Sequence, residues 1–279
     1  MLFCYRCLGN YQKADIMWSA YCKKSSLQYD IVNISLYITS MRYIWKHRIN
    51  AKEVIMSREI EIKLLMDYWQ EKHMNNGYKR FIRDGIVCEE KWEAQHTPRV
   101  CYFLKEAYTS NESGYNLVKD LHDCEHPWTM WRKVAIWTQA IHNAFDGNIC
   151  EYDDEVLRSK EKEIIDCIAV VNVKKSNGGS GSEYEDLKKY AVEDKMEIKQ
   201  ELEIIQPDII VCGNNLSLLK LVLGEELQDD DAWDNMLAIW KDTLVINYYH
   251  PAVHYPNRVN YYALMAICDV ARKKYGIFL

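Results

Sequence analysis

The sequence predicts an α/β fold, a three-layer α/β/α sandwich around a central, mostly parallel sheet of about four strands. Three observations lead there. Short runs of continuous Val, Ile and Leu recur after Arg99, as a sheet covered on both faces requires. Segments long enough for helices of ten or more residues separate most of them, which implies parallel crossovers. Pro207 and the Gly/Ser stretch after Lys175 fall between the periodic segments, where the chain has to turn.

The elements follow in order. Ser57 and the acids Glu59 and Glu61 open a capped helix, with Ile60, Ile62, Leu65, Met66 and Trp69 as its apolar stripe. The run VCYFL from Val100 is the first strand, and a helix from Trp128 to Phe145 follows with Trp131, Val134, Ala135, Thr138 and Ile141 on one face. Ile168–Val173 is the second strand, KKSNGGSGS a loop, and Ser182–Ile205 one long helix. DIIVCG, ending at Gly213, is the third strand, and Asn214 or Asn215 caps the short helix SLLKLVLG. MLAIW and LVINYY are two more short strands, and Asn257 caps a final helix to about Lys274. Residues 1–55 are expected to be an appendage without an assigned role, with Ile31–Ile38 weakly strand-like and Met56 an alternative start. Residues 56–97 form a helical lead-in packing on the core, and 98–279 the α/β domain.

Composition narrows the classes. At 279 residues and 48% hydrophobic, the chain can bury a sizeable core, and it lacks an apolar run of membrane-spanning length or a signal-peptide core. A soluble, cytoplasmic monomer is expected. The ten cysteines sit mostly in apolar runs, as Cys167, Cys212 and Cys268 do, which fits buried thiols rather than a disulfide framework. A net charge of −6 argues against non-specific coating of nucleic acid, although the acid is concentrated at Glu151–Glu155 and Glu225–Asp234, leaving room for a local basic groove. KKSNGGSGS lacks the Gly-Lys-Ser/Thr ending of a phosphate-binding P-loop. The cluster His122-Asp123-Cys124-Glu125-His126 has one-residue spacing that keeps most side chains from one ion, and Cys4, Cys7 and Cys22 lack a fourth ligand, so no metal site is expected.

In a doubly covered parallel sheet, ligands bind at the carboxyl ends of the strands. Those ends carry Lys105-Glu106-Ala107-Tyr108, Asn172 with Lys174-Lys175, Gly213-Asn214, and His250-Pro251-Ala252. The ordered set FLKEAY, VVNVKK, QPDIIVCG and NYYHPA, spanning roughly Arg99 to Val270, resembles the uracil-DNA glycosylase superfamily and is closest to the branch whose first motif reads Gly-Glu-Ala-Pro-Gly. Here Lys105 replaces the glycine and Tyr108 the proline, and both exchanges bear on base specificity. That branch holds an iron–sulfur cluster through four cysteines. Cys4 and Cys7 form a CxxC, but no cysteine follows VVNV, so no cofactor is expected.

Cleaving an N-glycosidic bond leaves positive character on the sugar and negative charge on the departing base. Glu106 is the candidate carboxylate for the first and His250 the candidate donor for the second; the plainer alternatives are a solvated loop acid and a histidine satisfying loop carbonyls. The resemblance gives Asn172 the reading of a flipped pyrimidine, against the plain alternative of a strand-end amide bonded to a neighbouring loop. Tyr108 or Tyr115 are candidates to stack on that base, with Lys105 beside them. For DNA contact the candidates are Lys174 and Lys175 with the glycines behind them, Val253 and Tyr255 as a wedge, and Arg258 on phosphate, unless VHYPNR is only a turn capping the last helix. The leading expectation is therefore a monofunctional glycosylase that removes uracil or a related damaged base from DNA. A catalytically silent nucleic-acid-binding protein of the same fold, and a hydrolase of free nucleosides or nucleotides, remain as alternatives.

Overall fold

A computed structural model describes residues 57–125, 128–147, 149–179, 181–230 and 236–276. The appendage, the run Ile31–Ile38, Met56 and the Cys4–Cys7 pair lie outside the described residues.

The chain opens with α1 (Arg58–Asn75), then β1 (Ile82–Arg83), β2 (Gly85–Ile86) and α2 (Glu89–Ala94). β3 (Val100–Glu106), β4 (Tyr115–Asn116), α3 (Leu117–Asp123), α4 (Thr129–Phe145), α5 (Asp154–Ser159), α6 (Glu161–Asp166) and β5 (Ile168–Lys174) follow. The second half contains α7 (Tyr184–Glu193), α8 (Lys195–Ile205), β6 (Ile209–Gly213), α9 (Leu216–Leu223), a 3-10 turn, β7 (Leu227–Asp229), β8 (Leu237–Trp240), β9 (Thr243–Tyr248) and α10 (Asn257–Tyr275).

A central, mostly parallel sheet is flanked by helices. Its order is β2-β5-β3-β6-β9-β8-β7, seven strands rather than about four. The neighbours β5, β3, β6 and β9 are mutually parallel, and β2, β8 and β7 extend the sheet antiparallel at its two ends. β8 is the strand expected at MLAIW, whereas β2 and β7, two and three residues long, are too short to show a period in sequence. Pleating sorts the side chains: Val100, Tyr102 and Leu104 join one apolar cluster with α4 and α10, while Cys101 and Phe103 join another with Met66, Trp69, Ile198 and Leu202. Both clusters are needed because a parallel strand covered on two faces has no solvent side.

Three sequence expectations need adjusting. The helix expected over 182–205 is broken at Asp194, a buried residue whose carboxylate accepts from Lys72 Nζ at 2.9 Å and pairs with His73 Nε2 at 2.8 Å. That tie to α1 outweighs helix continuity. Asn257 is the first helical residue of α10, with Pro256 at the cap position, and the Asn215 side chain makes no capping bond to α9.

The Pro-Asp of QPDIIVCG acts at the amino ends of the strands: Asp208 accepts from the Arg99 amide at 2.7 Å and from its guanidinium at 3.0 and 3.1 Å, pinning β3 to β6 in register. Among the described residues, no helix is long and apolar enough to cross a membrane. Replacing the fully buried Phe103 by alanine is expected to cost about 3–5 kcal/mol, read as a lower urea midpoint with unchanged slope.

Candidate active site at the carboxyl ends of the strands

The register sets the geometry. Glu106 ends β3 opposite Lys174, Leu104 faces Asn172, and Gly213 ends β6 opposite Tyr248. The connection from β3 leads to β5 on one side, whereas that from β6 leads to β9 on the other. The crevice between the carboxyl ends of β3 and β6 is therefore the topological switch point, where open α/β sheets bind ligands.

Glu106 is not a solvated acid. Its side chain is only 3% exposed, with Oε2 held by Lys174 Nζ at 3.1 Å and by the Gly179 amide at 3.1 Å. Oε1 is buried without a partner among the described residues. A carboxylate with one oxygen fixed and the other free is suited to orienting a water.

His250 lies against the end of β6. A Cβ built on Gly213 would come within 3.1 Å of the imidazole Cδ2 and of the Leu104 side chain, so a glycine is what lets the ring sit there. Its Nδ1 accepts from the Ala252 amide at 3.2 Å, which assigns the proton of the neutral ring to Nε2. Burial, and then the nearby Lys105 ammonium, push the His250 pKa down to about 4. At neutral pH the ring is thus an uncharged donor through Nε2.

Asn172 is buried and held by Asp84, whose Oδ2 accepts from both the Asn172 amide (2.7 Å) and its Nδ2 (2.9 Å). The neighbouring-loop bond is thus present, and it fixes the amide: one Nδ2 proton is engaged, leaving the other and the carbonyl oxygen. Asp84 also binds Lys175 Nζ, which in turn donates to Glu201 Oε2 at 2.8 Å, with the Trp69 ring 4.9 Å from the ammonium. All three charged side chains are fully buried.

The loop after β5 therefore corrects the DNA-binding expectation. Lys175 is in the core, and Lys174, its side chain 9% exposed, pairs with Glu106 and Asp186, so neither reaches a phosphate as placed. Adjacent strand residues face opposite ways, which separates the two lysines. The glycines serve the protein's own carboxylate: a Cβ on Gly178 would lie 1.9 Å from the Ala107 carbonyl oxygen, and the Gly179 amide reaches Glu106.

Tyr108 and Tyr115 come together. With Thr109, Asp120 and Trp128 they line a hollow of about 440 Å³. Tyr108 and Trp128 are each more than half exposed, and burial, followed by Asp120 and Asp84, pushes the Tyr115 hydroxyl up to about 12. The lining stops short of Glu106, Asn172 and His250.

In the VHYPNR segment the Val253 carbonyl accepts from Lys133. Tyr255 is exposed with its ring 5.0 Å from that of Tyr249, and the exposed Arg258 lies 5.4 Å from the Tyr152 ring. These residues lead into α10 from the His250 loop.

Sequence reasoning missed Asp84, Glu201 and Trp128. Asp84-Gly85 reads as a turn and Glu201 as a helix-face acid, while Trp128 gave a signal only as a helix start. Among the described residues no group of three or more His, Cys, Asp or Glu is placed to hold a metal, and His122 bonds Asp166 at 2.9 Å.

Gly178→Ala is expected to displace the loop from Glu106 and destabilise by about 1–3 kcal/mol, measured by urea denaturation. A pH dependence follows from His250 and from His142, which burial beneath the Pro98 carbonyl also holds near 4. Their folded values lie below the ordinary 6.5, so the unfolded chain binds the extra protons. Stability should fall as pH drops from 6.5 towards about 4, and His250→Gln should lessen that slope.

A scan of family models finds none that matches the chain, and a search of curated proteins finds no match either.

Proposed function

We propose that the chain is a DNA glycosylase-like hydrolase of the uracil-DNA glycosylase type, with that superfamily's three-layer α/β/α arrangement, removing uracil or a related damaged base by base flipping. The observation that carries this reading is the shared carboxyl edge of β5, β3, β6 and β9, which bears Asn172, Glu106 and His250 in that spatial order.

Each group has a task its surroundings suit. The free Oε1 of Glu106 orients water towards the sugar carbon and stabilises its developing positive charge. His250, neutral and protonated on Nε2, donates to the carbonyl oxygen on which the departing base collects negative charge. Asn172 offers a carbonyl oxygen and one N–H to the edge of the base. Tyr108, Tyr115 and Trp128 supply stacking faces at the adjoining hollow. Water completes the reaction: its oxygen bonds to the sugar carbon and keeps one proton as the new hydroxyl, the base leaves with the electron pair of the glycosidic bond, and the second water proton passes through Glu106 to the base, so that Glu106 ends as it began.

A second reading, a silent nucleic-acid-binding protein of the same fold, is favoured by the occupation of Glu106 Oε2 by Lys174 and Gly179 and by Lys105 and Tyr108 in the first motif.

Incubation with uracil-containing single- and double-stranded oligonucleotides separates the two. Abasic product is expected, falling by a factor of about 100 or more in Glu106→Gln and His250→Ala. Salt-dependent binding without cleavage would establish the second reading, and activity unchanged in both variants would exclude the assigned roles.

A further inference from the structure

Lys175, Asp84 and Glu201 form a closed group that the proposed hydrolysis does not use. Their side chains are 0% exposed. Lys175 Nζ touches both carboxyl groups, and the Trp69 ring covers the ammonium. The other oxygen of Asp84 accepts two N–H bonds from Asn172, at 2.7 and 2.9 Å. From this arrangement we propose that Lys175 and Asp84 become joined by an intramolecular amide bond that the protein forms itself.

Each part of an amide-forming centre is present. Lys175 Nζ is the nucleophile, in contact with the carboxyl group whose Cγ is the electrophile. The two Asn172 donors lie on Oδ2, where negative charge collects when nitrogen adds to Cγ. Glu201 touches Nζ, and burial raises its pKa well above the usual carboxylate range, so it holds a proton for transfer. Its Oε1 has no partner among the described residues.

The step balances. The Lys175 ammonium gives a proton to Asp84 Oδ1, leaving an amine facing a carboxylic acid. Nζ adds to Cγ, and the oxyanion on Oδ2 is held by Asn172. Glu201 protonates the departing Oδ1 hydroxyl and takes a proton from nitrogen, so one water leaves and Glu201 ends as it began. No oxidant or co-reactant is required.

Amines and carboxylic acids do not condense in water, because both are ionised and water drives the reverse reaction. Burial weakens both objections. Fixed contact supplies an effective concentration of about 10⁵–10⁸ M, desolvation opposes the charge on Lys175 even though Asp84 and Glu201 raise its pKa on balance, and exclusion of solvent removes bulk water. The amide would also relieve the desolvation cost of a buried ion pair while keeping the oxygen that holds Asn172. It would tie the chain before β2 to the residue after β5 across 91 positions.

The reduced full-length protein, kept folded at neutral pH and then weighed intact, tests this. Wild type is expected to be lighter than its sequence by one water, with peptide mapping yielding a branched peptide joining residues 84 and 175. Glu201→Gln should restore the full mass, and Asp84→Asn should instead lose one ammonia. A wild-type mass equal to the sequence overturns the proposal. So does a water loss that persists in Lys175→Arg, since Asp84-Gly85 can cyclise on its own backbone.

Discussion

The placement of the candidate site depends on how one buried carboxylate, Asp84, is satisfied. It lies between two very short strands, β1 and β2, and binds three donors: the backbone and side-chain nitrogens of Asn172 and the ammonium of Lys175. An isolated carboxylate in such a place would be prohibitively costly, and a buried pair gains little over apolar packing. What the group contributes is geometry. It holds the end of β5 against β2, sets the rotation of the Asn172 amide, and through Glu201 ties α8 to the same point.

From that anchor the edge that carries the candidate site is built outward along the sheet. Lys174, one residue before the buried Lys175, turns the other way and meets Glu106 across the β3–β5 register. The chain then bends back over it, with Asn177 in a left-handed conformation at φ 56° and Gly178 pressed on the Ala107 carbonyl, so that the Gly179 amide completes the contact. On the far side of β3, Gly213 leaves room for His250. The edge thus combines a half-occupied carboxylate, an amide of fixed polarity and a neutral imidazole, each held by a neighbour rather than by solvent.

Much of this was legible in the sequence because the signals were strong and local. Runs of Val and Ile located β3, β5, β6 and β9, and the rule for strand ends selected Glu106, Asn172 and His250. What was not legible was long-range charge pairing. Lys174-Lys175 looks like a basic patch until pleating sends one inward to an acid 91 residues earlier. Asp194 looks like one more helix acid until His73 and Lys72, more than a hundred positions away, claim it and break the helix. The segment 56–97 read as a helical lead-in packing on the core, and Trp69 of its apolar stripe does pack there, but the segment also supplies Asp84, Trp92 and an added strand. No periodicity reports a partner distant in sequence, so buried polar groups were the places where sequence reasoning fell short.

Native-state hydrogen exchange at the Asn172 amide tests the anchoring role of Asp84 most directly. If the anchor organises this edge, that amide exchanges only through global unfolding, as slowly as the central residues of β3. Rapid exchange at Asn172 while β3 remains protected would mean that the Asp84 contact opens freely in the folded protein, and that the edge is held by something else.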